Sequence, residues 1–144
     1  MKTATLTATF ATLLTLGVAA PAEAERNRVS VSQFGYGNGA GASLVGRRNH
    51  LTVWQDGRGN SAISVIDGNR NETVVAQSGN GNDVTTSQSG NCNVLGVSQT
   101  GHGNSAEATQ SGGCNALGVI QVGNGNTSET TQIGGNNVIV VVQH

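Results

Sequence analysis

Residues 77–99 read QSGNGNDVTTSQSGNCNVLGVSQ, and this stretch contains the rule that governs almost the whole chain. Glutamine stands at Gln77, Gln88 and Gln99. Glycine follows two residues after the first two of these (Gly79, Gly90), and asparagine five residues after (Asn82, Asn93). Extended in both directions, the eleven-residue register meets Gln33, Gln55, Gln110, Gln121, Gln132 and Gln143, and is interrupted only by Leu44 and Ile66. The glycine column is unbroken from Gly35 to Gly134. So is the asparagine column: Asn38, Asn49, Asn60, Asn71, Asn82, Asn93, Asn104, Asn115, Asn126 and Asn137, with Asn27 one step earlier. A repeat this strict implies a stacked architecture in which each unit contacts only its neighbours.

Within a unit, apolar and polar residues alternate with period two, the mark of a half-buried strand. Asparagine, two apolar or small residues and the next glutamine share one face, so each unit is predicted as a seven-residue strand and a four-residue turn holding the glycine. Glycine suits a corner with positive φ. Alternate units differ. One set carries large inward pairs such as Leu51/Val53, Leu95/Val97 and Leu117/Val119, and the other small pairs such as Ala40/Ala42, Ala62/Ser64 and Ala106/Ala108. The structural period is therefore 22 residues. The predicted fold is all-β, a two-sheet β-solenoid of parallel, in-register coils over residues 25–144, with eleven strands (six in one sheet, five in the other) in about five and a half coils.

A buried carboxamide left unpaired costs about 1–3 kcal/mol. In-register stacking removes that cost, because each glutamine or asparagine meets its equivalent one coil away. Gln33, Gln55, Gln77, Gln99, Gln121 and Gln143 form one column; Leu44, Ile66, Gln88, Gln110 and Gln132 form the other. Leu44 and Ile66 thus fall together, apolar on apolar.

Composition alone resembles disorder: 3% aromatic and 10% charged residues, with 22 glycines. The fixed apolar positions argue against it. Residues 1–24 differ from the rest: Lys2, a loose apolar and threonine stretch, and Ala22-Glu23-Ala24 as a small-x-small site predict a secretory signal peptide. Every arginine (Arg26, Arg28, Arg47, Arg48, Arg58, Arg70) lies in the first half of the chain, whereas the last charges are Glu107 and Glu129.

The unit Gln-x-Gly-x-Gly-Asn-x-Ala/Ser, as in Gln55 to Ala62, Gln99 to Ala106 and Gln121 to Ser128, resembles the repeat of curlin, the curli fibre subunit family. The match covers about Asn27 to Gln143. The resemblance implies a secreted subunit that self-assembles into extracellular functional amyloid, a pilus-like fibre for adhesion and biofilm matrix. It also implies a nucleator, chaperones and an outer-membrane secretion pore as partners. A minor, nucleating subunit is the alternative within the family. Family subunits usually carry an extended segment ahead of the first repeat, where this chain has only Glu25 and Arg26, and paired cysteines are unusual among them.

The terminal segment Val138-Ile139-Val140-Val141-Val142 is apolar on both faces, free of charge and followed by no proline, as expected of a polymerisation edge. Head-to-tail addition through such an edge does not close and generates filaments. Cys92 and Cys114 occupy the same corner of adjacent coils, roughly 4.8 Å apart, so a disulfide and two free thiols both remain open. Two thiolates without histidine neighbours fall short of a metal site.

Arg26, Arg48 and Arg70 form a column at that same corner. It reads either as attachment to anionic polymers or as a solvated turn ladder, and the lack of interleaved aromatics favours the latter. His50, His102 and His144 fall on different strands, turns and ends, with no carboxylate repeatedly paired to them, so no catalytic constellation and no cofactor are expected. An ice-binding solenoid would need a flat outward threonine array, and Glu107 and Glu129 interrupt it.

Overall fold

The computed structural model describes residues 3–9 and 26–144. Twelve strands follow one another without a helix among the described residues. They are β1 (Thr3–Thr9), β2 (Arg28–Tyr36), β3 (Gly39–Arg47), β4 (His50–Arg58), β5 (Ser61–Asn69), β6 (Glu72–Asn80), β7 (Asp83–Asn91), β8 (Val94–His102), β9 (Ser105–Gly113), β10 (Ala116–Asn124), β11 (Thr127–Gly135) and β12 (Val138–Gln143). The first sheet has the order β1-β2-β4-β6-β8-β10-β12 and the second β11-β9-β7-β5-β3. From β2 onward every pairing is parallel and joins residues 22 apart, as in Gln55↔Gln77 and Gln88↔Gln110. The fold is a two-sheet β-solenoid of about five coils.

Two details depart from the sequence reading. The six-and-five arrangement holds for β2–β12, but β1 adds a seventh strand to the first sheet by pairing Thr3–Thr9 with Arg28–Phe34. The edge of β2 presents a row of free backbone donors and acceptors, and an alternating threonine segment is able to occupy it. The proposed cleavage site at Ala22-Glu23-Ala24 lies outside the described residues.

Strand length also differs from expectation. β2–β11 are nine residues long, and corners shrink to two residues such as Gly37-Asn38 or Arg48-Asn49. The ladder runs on through the invariant glycine instead of ending before it.

The reason is a close approach between coils. A Cβ placed on Gly57 would meet the carbonyl oxygen of Gly79 at 1.9 Å, and the same collision recurs from Gly35 to Gly112. These glycines also hold φ between +98° and +131°. Glycine is thus demanded twice at this position, by dihedral and by contact. The following corner position differs: Gly59, Gly81 and Gly103 have φ near +63°, and a Cβ there would meet nothing within 4 Å.

The core is one side chain thick. Leu51, Val53, Val75, Leu95, Val97 and Val119 from the first sheet face Ala62, Val84, Ala106 and Ala108 from the second, all at most 2% exposed. Large side chains from one sheet against small ones from the other suit the narrow gap between the sheets.

The two glycine positions predict different sensitivities. Gly101→Ala forces the coils apart against the Gly123 carbonyl and is expected to destabilise the chain by about 3 kcal/mol or more, summing overpacking and backbone strain. Gly103→Ala meets only the left-handed penalty of about 1–2 kcal/mol. Urea titration of soluble chain by far-ultraviolet circular dichroism measures both.

Candidate functional site

The inward glutamines form two ladders with a direction. In the first, Gln33 Nε2 donates to Gln55 Oε1 at 2.7 Å, Gln55 to Gln77 at 2.7 Å, Gln77 to Gln99 at 3.0 Å, Gln99 to Gln121 at 2.7 Å and Gln121 to Gln143 at 2.8 Å. In the second, Gln88 donates to Gln110 at 2.9 Å and Gln110 to Gln132 at 2.8 Å. The remaining amide proton crosses to the facing sheet: Gln55 Nε2 reaches the Gly39 carbonyl at 2.9 Å, and Gln77 the Ser61 carbonyl at 2.9 Å. Each interior glutamine therefore ties its coil to the next and its sheet to the other. That satisfies a fully buried amide that would otherwise be costly.

Asparagine closes the corners. Asn60 Nδ2 donates to the Asp56 carbonyl and to the Gly79 carbonyl at 3.0 Å, while Asn60 Oδ1 accepts from the backbone N–H of Asn82. The acceptor Gly79 oxygen is the atom that a Cβ on Gly57 would strike. The glycine and asparagine columns are one device. Absence of a side chain at glycine lets a carbonyl come close enough for asparagine in the neighbouring coil to hold it.

Leu44 and Ile66 leave Gln88 at the head of its ladder with no glutamine donor. Its Oε1 is met from the facing sheet, where Thr73 Oγ1 donates at 2.7 Å. Thr73 replaces the leucine found at Leu51 and Leu95 in its column, and it is fully buried. Thr73 stands at an inward position of the large-residue column, and the repeat alone does not indicate this role. The signal was a polar residue standing in the apolar column within the same coil as the glutamine that needs it.

Cys92 and Cys114 form a disulfide across adjacent coils, with Cα atoms 4.4 Å apart. They continue the corner column of Arg26, Arg48 and Arg70, all three exposed. Trp54 is about two-fifths exposed on the outer face.

His50, Thr52 and Glu72 come near one another on that face. His50 Nδ1 lies 3.9 Å from Glu72, and His50 Nε2 lies 3.5 Å from the Thr52 hydroxyl. Both distances are at or beyond the limit of hydrogen bonding, and the group is open to solvent with no convergent donors to hold a substrate. His102 lies apart from it, 3.1 Å from Asn80. No cluster of three metal-ligating side chains occurs among the described residues, and no helix there is long and apolar enough to cross a membrane.

At both ends the strand rows stay open. β12 pairs with β10 on one side only, and Val138, Val140 and Val142 are 62–74% exposed. β11 and β3 are the two edges of the second sheet.

This geometry defines the class of parallel β-solenoids held by in-register carboxamide ladders. The family profile described as Curlin associated repeat matches residues 24–63 and 79–112, just over half of the chain. The chain belongs to the curlin repeat family, a family of structural subunits. No curated protein matches the sequence.

Two outcomes check these contacts. Thr73→Val leaves the buried Gln88 oxygen without a donor and is expected to cost about 1–3 kcal/mol, whereas Thr73→Ser retains most of the stability. Replacing both cysteines with serine opens a 22-residue loop and should cost about 3 kcal/mol, with reductant producing the same midpoint shift in the parent chain.

Proposed function

We propose that the chain is exported and adds head-to-tail to other copies of itself, building an extracellular curli-type amyloid fibre. The observation that carries this is the match between the two ends. Every glutamine ladder bond donates toward the carboxy-terminal end, so Gln143 Nε2, which donates to the Thr127 carbonyl at 2.9 Å, has a second proton for a further coil. At the opposite end, no glutamine among the described residues donates to Gln33 Oε1. Stacking β12 on β2 of the next copy continues this ladder with the same spacing and polarity. Stacking end against like end would bring donors against donors.

The asparagine columns agree. Asn126 Nδ2 and Asn137 Nδ2 donate only to the Val122 and Ile133 carbonyls of their own coil, whereas interior asparagines also reach a glycine carbonyl one coil further on. The next copy would supply the missing carbonyl. Apolar exposure at β12 adds a hydrophobic driving force of roughly 25 cal/mol per Å² covered. Contacts of this heterologous kind repeat without closing.

Export by a signal peptide at residues 1–24 is part of this reading, because its removal frees the β2 edge that β1 occupies. A nucleator, chaperones and an outer-membrane pore are the partners that curlin membership suggests. Adhesion and matrix building would then be properties of the polymer.

Gly134 separates folding from assembly. Within one copy its Cβ would meet only Asn137 Nδ2 at 3.2 Å. In the fibre it would oppose Gly46 of the next copy, and the interior pairs of this column show contacts of 1.8–2.0 Å. Gly134→Ala is expected to keep the β-sheet circular dichroism of the soluble chain and to slow seeded elongation about tenfold or more. Truncation after Gln132 should abolish elongation. Parent-like thioflavin kinetics in both variants would remove β11 and β12 from the growing end.

A further inference from the structure

The two corners of each coil are built from different residues at the same backbone conformation. One corner uses Gly37, Gly59, Gly81, Gly103 and Gly125, with φ of 63–68°. The other holds φ of 54–69° with Arg26, Arg48, Arg70, Cys92, Cys114 and Asn136. A side chain in this left-handed region is strained, and glycine relieves the strain without loss of any contact the backbone makes. Space does not explain the asymmetry, because a Cβ at Gly59, Gly81, Gly103 or Gly125 would meet no atom within 4 Å. All six positions of one corner column therefore carry strained side chains, and the other corner carries none. The two cysteines are accounted for by their disulfide. The three arginines make no ion pair with any described acidic residue, and all are exposed.

Their surroundings are basic and hydrogen-bonding. Arg28, Arg47 and His50 flank the column, and two carboxylates adjoin it: Glu72, facing His50, and Asp67, three residues before Arg70 at the end of β5. A surface groove lined by Arg47, Arg48, Asn69, Arg70, Asn91 and Cys92 runs along the solenoid. Coils repeat at roughly 4.8 Å, so the three arginine positions span about two coil rises along the axis.

We propose that this arginine corner is a binding site for an acidic polysaccharide, laid parallel to the solenoid axis. Guanidinium groups clamp sulfate or carboxylate through paired N–H donors, and they do so repeatedly along a regular polymer. Asn69 Nδ2 already donates to Asn91 Oδ1 at 3.0 Å, so the Asn91 amide nitrogen is the group suited to a sugar hydroxyl. The corner positions carry no aromatic to stack a nucleic-acid base, and the exposed apolar side chains that flank them, Val45 and Val94, belong to different sheets and form no apolar face for a lipid layer, which favours a glycan. In a polymer of this chain the site would recur once per copy, but binding does not depend on polymerisation and is measurable on soluble chain.

The test replaces Arg26, Arg48 and Arg70 by glycine, the residue already used at the sister corner. Fluorescent dextran sulfate is the probe, with neutral dextran and a thymidine oligonucleotide alongside. The parent chain should bind dextran sulfate in a salt-dependent manner and ignore neutral dextran. The triple variant should bind about tenfold more weakly while unfolding at a higher temperature, because strain is relieved as affinity is lost. Adding Gly37→Arg, Gly59→Arg and Gly81→Arg to that variant should restore binding at the opposite corner. Undiminished binding by the triple variant, or no binding by the parent chain at low salt, would overturn the proposal. So would tighter binding of the oligonucleotide than of dextran sulfate, since the site would then be one for nucleic acid.

Discussion

Close approach of identical backbones at the glycine column is the constraint on which the rest of this structure depends. With nothing beyond Cα at Gly35 through Gly112, each coil lies near enough to its successor for asparagine amides to grip glycine carbonyls. That grip fixes the register, and fixed register aligns the glutamines. Aligned glutamines turn what would be a buried liability into a cross-linked interior, so that among the described residues no buried side-chain nitrogen or oxygen lacks a partner. A core one side chain thick, with alanine and serine dominating the inward positions of the second sheet, would otherwise be a weak basis for a fold.

The same arrangement gives the molecule a direction. A hydrophobic core is indifferent to which end is which, but a donor-to-acceptor ladder is not. Gln143 ends the stack with a donor and Gln33 begins it with an acceptor. In the proposed head-to-tail assembly, adding one more copy would repeat the event that adds one more coil. In the first sheet, the feature that satisfies the interior also leaves the two ends of the ladder complementary.

Much of this was legible in the residues because the repeat is in register with itself. Columns spaced by 22 residues became neighbours, and Gln77 beside Gln99 or Cys92 beside Cys114 followed from spacing alone. Strand ends were less legible. The glycine was read as a turn because positive φ implies a corner, whereas the ladder continues through it; a dihedral preference carries no information about what lies one coil away. Thr73 was missed for a related reason, since its hydroxyl answers a defect in the facing sheet 15 residues on and belongs to no column of its own kind. β1 was invisible to the repeat because Thr3–Thr9 is not part of it.

The most direct measurement is site-resolved solid-state NMR on the assembled chain, with ¹⁵N in the side-chain amide of Gln77 and ¹³C in the side-chain carbonyls of Gln88 and Gln99. The account predicts transfer from the Gln77 nitrogen to the Gln99 carboxamide, whose oxygen lies 3.0 Å away, and none to Gln88. Transfer to Gln88 in place of Gln99 would mean an eleven-residue coil, and would contradict the two-sheet register together with everything drawn from it.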